Sequence, residues 1–191
     1  FATDYSAANE YEAGYELTAT QRAAATAALS TWSAVADITF RQTSDNWANV
    51  GDSRFGGYAL MDADAAAWAY TPGDTPNAGD IWIGPNTDDP SPVKGTYDFM
   101  TFVHEIGHAL GLKHPFAPTP GNATTMDPAL DDITHTIMSY NNSYSYHPTT
   151  PMLLDILAIQ NLYGANTMWA TGNTVYSWAA NQSVFETIWD A

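Results

Sequence analysis

His104, Glu105 and His108 fall within the stretch His104-Glu105-Ile106-Gly107-His108, and Gly111 and His114 follow at spacings of three and six from the second histidine. Residues four apart on a helix share one face. His104 and His108 can therefore turn a ring nitrogen toward one ion at about 2.0–2.1 Å, while Glu105 stands beside that ion without ligating it. Gly111 can take a positive φ, which lets the chain leave the helix abruptly and bring His114 round as a third ligand. Three protein ligands leave one position open for water. Zinc in such a site lowers the pKa of that water toward 7, and Glu105 can take its proton as it attacks a polarised carbonyl. The full pattern HExxHxxGxxH is far more selective than its five-residue core.

The composition narrows what can surround this segment. At 191 residues the chain is long enough for one large domain with a real core. It has no cysteine, so a disulfide framework, a thiolate metal site and a cysteine nucleophile are excluded, and any metal rests on His, Asp, Glu or Tyr. With 5 Lys+Arg against 21 Asp+Glu the formal charge is −16, which disfavours nucleic acid and anionic membrane surfaces as partners. A hydrophobic content of 45% with 13% aromatic residues argues for a folded chain despite that charge. No apolar run approaches the roughly 18 residues of a membrane span, and Phe1 to Tyr15 lacks the basic-then-apolar pattern of a signal peptide.

Three helices must carry the chemistry. Thr18 and Gln21 fit a capping box at the head of a helix running to Val35. A second helix is expected from Tyr97 to about Leu112, with Phe99, Phe102, Val103, Ile106 and Leu110 as its core face. A third is framed by Thr150 as cap, Pro151 at the first position and Gly164 just past the end. Its apolar residues cover most of the circumference, which predicts a largely buried helix. Ile38 to Thr43 reads as a strand with one covered face. Shorter strands are expected near Tyr58 to Leu60, Ala66 to Tyr70 and Ile81 to Ile83, and in the tail at Val175 to Trp178 and Val184 to Trp189. Turn residues such as Gly56-Gly57, Pro72-Gly73 and Asp88-Asp89-Pro90 separate them.

The eleven-residue pattern followed by Pro115, together with Thr136-Ile137-Met138-Ser139-Tyr140, resembles the metzincin zinc proteases of the serralysin type. The likeness extends through Leu29 to Phe40, Pro151 to Ile156, Ile159 to Asn166 and Thr171 to Tyr176, about four-fifths of the chain. Astacins share the tyrosine but usually carry disulfides, and this chain has no cysteine.

The resemblance implies an α+β metzincin (zincin-like) fold: a twisted, mostly parallel sheet with an antiparallel edge strand, packed on long helices. The cleft would lie between an N-terminal subdomain (1–114) and a smaller C-terminal one (115–166), followed by a tail (167–191). It implies zinc on His104, His108 and His114, Glu105 as general base and acid, and Tyr140 as a displaceable ligand that also hydrogen-bonds the oxyanion. Met138 would be the hydrophobic floor beneath the histidines. His135 and His147 are read as bonded within loops, since three histidines and a tyrosine fill the site. A peptide substrate would pair with an edge strand near Ala67 to Tyr70 or Gly79 to Ile83, giving broad specificity. The loop from His114 to Met138 is shorter than the serralysin norm.

In serralysins the equivalent of Ile188 to Ala191 runs into glycine-rich, calcium-binding (RTX) repeats. Ala170, Gly172, Thr174 and Asp190 would then be half of a calcium site, and the chain would be the protease domain of a longer protein. The expectation is a secreted, monomeric zinc endopeptidase acting on protein or peptide substrates and restrained by an inhibitor protein or propeptide. The competing reading is a binding module that keeps zinc for stability alone. Glu105 and Tyr140 count against it, because a structural site needs no base and usually fills all four positions with protein ligands.

Overall fold

Thr18 starts the first helix as the sequence predicts: its hydroxyl accepts from Gln21 N at 3.1 Å, and the Gln21 side chain accepts from Thr18 N at 2.8 Å. In the computed structural model, which describes residues 10–45, 50–87 and 89–191, this helix (α1) spans Ala19–Val35. Asp88, in the expected turn at Asp88-Asp89-Pro90, and Phe1 to Asn9, the first part of the N-terminal segment, lie outside the described residues.

Small residues let α1 come close to the second helix, α2 (Tyr97–Ala109). Ala24, Ala25 and Ala28 are buried on α1, and Trp32 reaches across so that its indole N–H donates to Val103 O at 3.0 Å. A Cβ built on Gly107 would lie 3.1 Å from Trp32 Cζ2 and 2.6 Å from Met138 Sδ. Glycine at that position is thus what allows the indole and the methionine to pack directly under the histidine helix. Trp32 has no exposed surface and carries a satisfied polar group. Trp32→Ala is expected to lower the unfolding free energy by about 3–5 kcal/mol in a denaturant titration.

Against α2 lies a four-stranded sheet in the order β1-β2-β4-β3, built from Gly14–Tyr15, Phe55–Tyr58, Ala67–Ala69 and Ile81–Ile83 in chain order. Ile81, Trp82 and Ile83 are all buried, which suits the inner strand β4. Among the described residues only the β2–β4 pairing is parallel; β1–β2 and β3–β4 are antiparallel. The expected mostly parallel sheet is therefore corrected to a mixed one. The tight return between Tyr70 and Asp80, closed by Tyr70 N to Asp80 O at 2.9 Å and Gly79 N to Tyr70 O at 3.1 Å, forces β3 to run antiparallel at the edge. This also separates the two candidate edge segments, since β4 is interior and β3 is outermost.

Five further expectations change. Residues 38–43 form no strand: after Val35 the chain is tied to the end of the third helix by Asp37 N to Gly164 O at 3.0 Å and a bridge between Ala36 and Ala165. Ile38 and Phe40 still pack on the core while Thr39 is exposed, so the alternation of burial survives without the ladder. The second strand covers Phe55–Tyr58 rather than Tyr58 to Leu60. The third helix, α3, spans Leu153–Tyr163 with Met152 at its N-cap, not Thr150, whose hydroxyl is occupied by Thr187 N at 2.9 Å. Gly164 ends it at φ 86° as expected. Only Asp155, Ile156 and Ile159 of α3 are buried, while Leu153, Leu157 and Leu162 are more than half exposed, so the helix buries one face rather than most of its surface. The tail forms no strands. It is held by separate contacts, such as Thr149 N to Phe185 O at 2.9 Å and the Trp189 indole to Asn166 O at 2.8 Å. Among the described residues no helix is long and apolar enough to cross a membrane.

Candidate metal centre

The end of α2 places the three histidines. Leu112 N bonds to Gly107 O and Gly111 N to His108 O, each at 2.9 Å, with Gly111 at φ 103°. This paired closure is a Schellman cap, and it needs a residue free to take positive φ. It ends α2 at Ala109, short of the expected Leu112, and turns the chain back so that His114 meets the helix face. One ligand nitrogen each from His104, His108 and His114 then lies within 4.8 Å of the others. Among the described residues no other group of three or more His, Cys, Asp or Glu side chains comes together in this way.

Backbone carbonyls fix the tautomers. His104 Nδ1 donates to Ile137 O at 2.7 Å and His108 Nδ1 to Leu112 O at 2.8 Å, so both Nε2 lone pairs face the shared space. His114 Nε2 stands 3.3 Å from His104 Nε2 and 2.9 Å from His108 Nε2. Nitrogen ligands around one zinc at about 2.0–2.1 Å sit about 3.3 Å apart in a tetrahedron. Protonation is a poor way to hold such atoms together here. Burial, reinforced by the neighbouring His108, brings His104 down to about 3 and His114 to about 4; burial also lowers His108. Neutral, lone-pair-forward imidazoles this close fit a bound cation, and nitrogen donors suit zinc.

Glu105 lies next to them, 6% exposed, with Oε2 buried and without a hydrogen-bond partner. Burial pushes its carboxyl up to about 8. The segment after Ile133 supplies the other walls. Met138 is buried against Gly107, between the two helical histidines. The Tyr140 ring is 66% exposed and sits 4.5 Å from the His114 ring and 5.8 Å from the His104 ring. Burial first, then the Glu105 charge, raises its phenol above the usual value.

Sequence reasoning missed several contributors. Phe116 stacks on His114 at 5.1 Å and 6° and also meets Tyr140 at 5.1 Å; its place two residues beyond the third histidine was the available signal. Lys113, one of only five cationic residues, donates to Ala117 O at 2.8 Å and Thr124 O at 2.7 Å, tying down the loop that follows His114. Asp155 is fully enclosed by donors from the turn containing Met138: Thr136 Oγ1 at 2.5 Å and Ile137 N at 2.7 Å, with Met152 N at 2.8 Å. Burial raises its carboxyl to about 6 against the pull of those three donors.

The remaining candidates stand apart. His135 bonds to Asp132 at 3.1 Å and His147 to Asn142 at 2.9 Å, both outside the cluster. Ala170 has φ 54°, and its carbonyl accepts from Thr174 Oγ1 at 3.0 Å, while burial, helped by the Asp190 charge, raises the Tyr176 phenol. Gly172 has open space around it.

Known proteins are similar to this chain. The profile of metallo-peptidase family M12 matches residues 2–151. Serralysin A of Dickeya chrysanthemi is 38% identical over 176 residues, covering 85% of this chain and 37% of the relative. Serralysin C of the same organism is 37% identical over 181 residues, again covering 85% and 37%. The metalloprotease AprA of Pseudomonas entomophila (strain L48) is 34% identical over 181 residues, covering 84% and 37%. The chain thus spans little more than a third of the length of these relatives. Motif, histidine geometry and profile agree that the chain belongs to metallopeptidase family M12, as a serralysin-type metalloprotease catalytic domain.

Proposed function

We propose that this domain is a zinc-dependent endopeptidase that hydrolyses peptide bonds of extended polypeptides outside the cell. The observation that carries the reading is the meeting of three histidine nitrogens within 4.8 Å of one another, with the buried, unpartnered Glu105 Oε2 on the residue next to His104. His104, His108 and His114 would hold the zinc, with Tyr140 as a displaceable fourth ligand. When bound, zinc supplies the Lewis acidity that polarises a scissile carbonyl and acidifies a water.

The chain's own groups do the rest. Glu105 takes the proton of the attacking water and returns it to the leaving amine. Burial raises the proton affinity of this carboxyl, which favours its keeping that proton between the two steps over an exposed carboxylate. Tyr140 donates its phenolic hydrogen to the oxyanion of the tetrahedral species. Phe116, stacked on His114, keeps that imidazole from turning, while Met138 backs Gly107 between the two helical histidines. The outer edge of β3, Ala67–Ala69, pairs with the substrate main chain. Main-chain bonds do not read side chains, which gives broad specificity. In this reading residues 1–114 and 115–166 form the two sides of the cleft, and Ala170, Gly172, Thr174 and Asp190 take calcium only together with ligands from elsewhere.

Incubation with a chemically unfolded protein, followed by mass mapping of the products, tests the assignment. Cleavage at many internal bonds, blocked by a chelator, is expected. A zinc-loaded domain that leaves the unfolded protein intact would refute it and favour the zinc-stabilised binding module.

A further inference from the structure

One chain of hydrogen bonds runs from the metal cluster into α3 through buried groups. His104 Nδ1–H donates to the carbonyl of Ile137 at 2.7 Å. That carbonyl shares its peptide unit with Met138 N–H, which donates to Thr136 Oγ1 at 3.1 Å. The Thr136 hydroxyl in turn donates to Asp155 Oδ1 at 2.5 Å. Every group in the sequence is buried: His104, Thr136, Ile137, Met138 and Asp155 are each at most 6% exposed. The other Asp155 oxygen, Oδ2, accepts from Ile137 N and Met152 N, which locks the carboxylate in place.

From this geometry we infer that Asp155 and Thr136 act as positioning residues for His104, forming an outer-sphere relay in which a carboxylate charge reaches the imidazole through a hydroxyl and one peptide unit. Each donor in such a chain polarises the next acceptor, and the effect is stronger away from water. Met138 N–H, drawn toward Thr136, makes the Ile137 carbonyl richer in electrons. The carbonyl then pulls harder on the Nδ1 proton of His104, and Nε2 becomes the better donor to a cation. Metal-binding histidines often receive this help from a carboxylate bonded directly to the ring. Here the carboxylate lies on a different helix and acts through Thr136 and the 137–138 peptide. The same bonds fix where the turn lies against α2, so charge and position arrive by one route.

The inference rests on the zinc reading, and the experiment separates the two. Thr136→Val keeps the shape and removes the hydroxyl, while Thr136→Ser keeps it. In chelator competition, Thr136→Val is expected to weaken zinc binding by about 10–100-fold, with Thr136→Ser close to the parent protein. The absorption spectrum of the cobalt-substituted Thr136→Val protein should shift, and the His104 Nδ1 proton resonance of the metal-free protein should move upfield, changes that lost stability alone does not produce. A folded Thr136→Val protein with parental zinc affinity and an unmoved His104 proton would overturn the relay, as would a Ser variant as weak as the Val one. Should Thr136→Val fail to fold, Asp155→Asn replaces it; weaker zinc binding by that folded variant supports the relay and parental affinity overturns it. A parent protein that binds no zinc would refute the zinc reading, leaving the relay to be judged by the proton resonance of the metal-free forms.

Discussion

Glu105→Gln is expected to lower kcat for peptide hydrolysis by about three orders of magnitude or more while leaving one zinc per chain. The side chains are nearly isosteric, and neither His104, His108 nor His114 bonds to Glu105 Oε2, which has no hydrogen-bond partner. Loss of the carboxylate therefore removes the proton acceptor without loosening the histidines. The two readings of the site diverge most sharply here. A domain that keeps zinc for stability has no use for a base, so its behaviour would be unchanged by the substitution. A protease loses turnover because the amide cannot take a proton from water or deliver one to the amine. Activity of the Gln variant within tenfold of the parent, at equal zinc content, would remove Glu105 from the mechanism.

Much of the centre was legible because its geometry is local. The spacing of His104, Glu105 and His108 on one helix, and the positive φ demanded at Gly111, follow from the helix period and from glycine's freedom alone. The capping box at Thr18 is equally local, and the structure contains it atom for atom. Errors arose where partners come from far along the chain. Nothing between Ile38 and Thr43 says that the end of α3, more than 120 residues later, holds the preceding backbone by Asp37 N to Gly164 O. Thr150 and Pro151 make a sound cap in isolation, yet Asp155 closes the helix from inside and frees Thr150 for the tail. The apolar residues of α3 fitted a helix buried all round, but the fold covers only the side carrying Ile156 and Ile159. Asp155 itself was invisible as a functional residue: its role depends on where the turn at Thr136 to Met138 lies in space.

Removing the metal should abolish hydrolysis and lower the melting temperature, and stoichiometric zinc should restore both. The stability effect follows from mass action, since a ligand held only by the native state adds RT ln(1 + [L]/Kd), about 4 kcal/mol at a thousandfold excess over Kd. The cluster adds a structural cause. His104 and His108 both face His114 with lone-pair-forward nitrogens, and burial keeps His104 and His114 neutral well below their ordinary range, so a proton is a weak substitute for the cation. Yet the domain should stay folded. Trp32, the sheet and the face of α2 carrying Phe99, Phe102, Val103 and Ile106 pack in a core whose apolar contacts need no metal. The metal-free protein should therefore keep its far-ultraviolet circular dichroism and unfold cooperatively at a lower temperature. Collapse to an unfolded chain on chelation would mean that the metal builds the fold rather than merely occupying a site the fold has prepared. The Gly111 cap, the Ile137 and Leu112 carbonyls and the Asp155 clamp argue for the prepared site: each fixes a ligand or its tautomer through bonds that involve no metal.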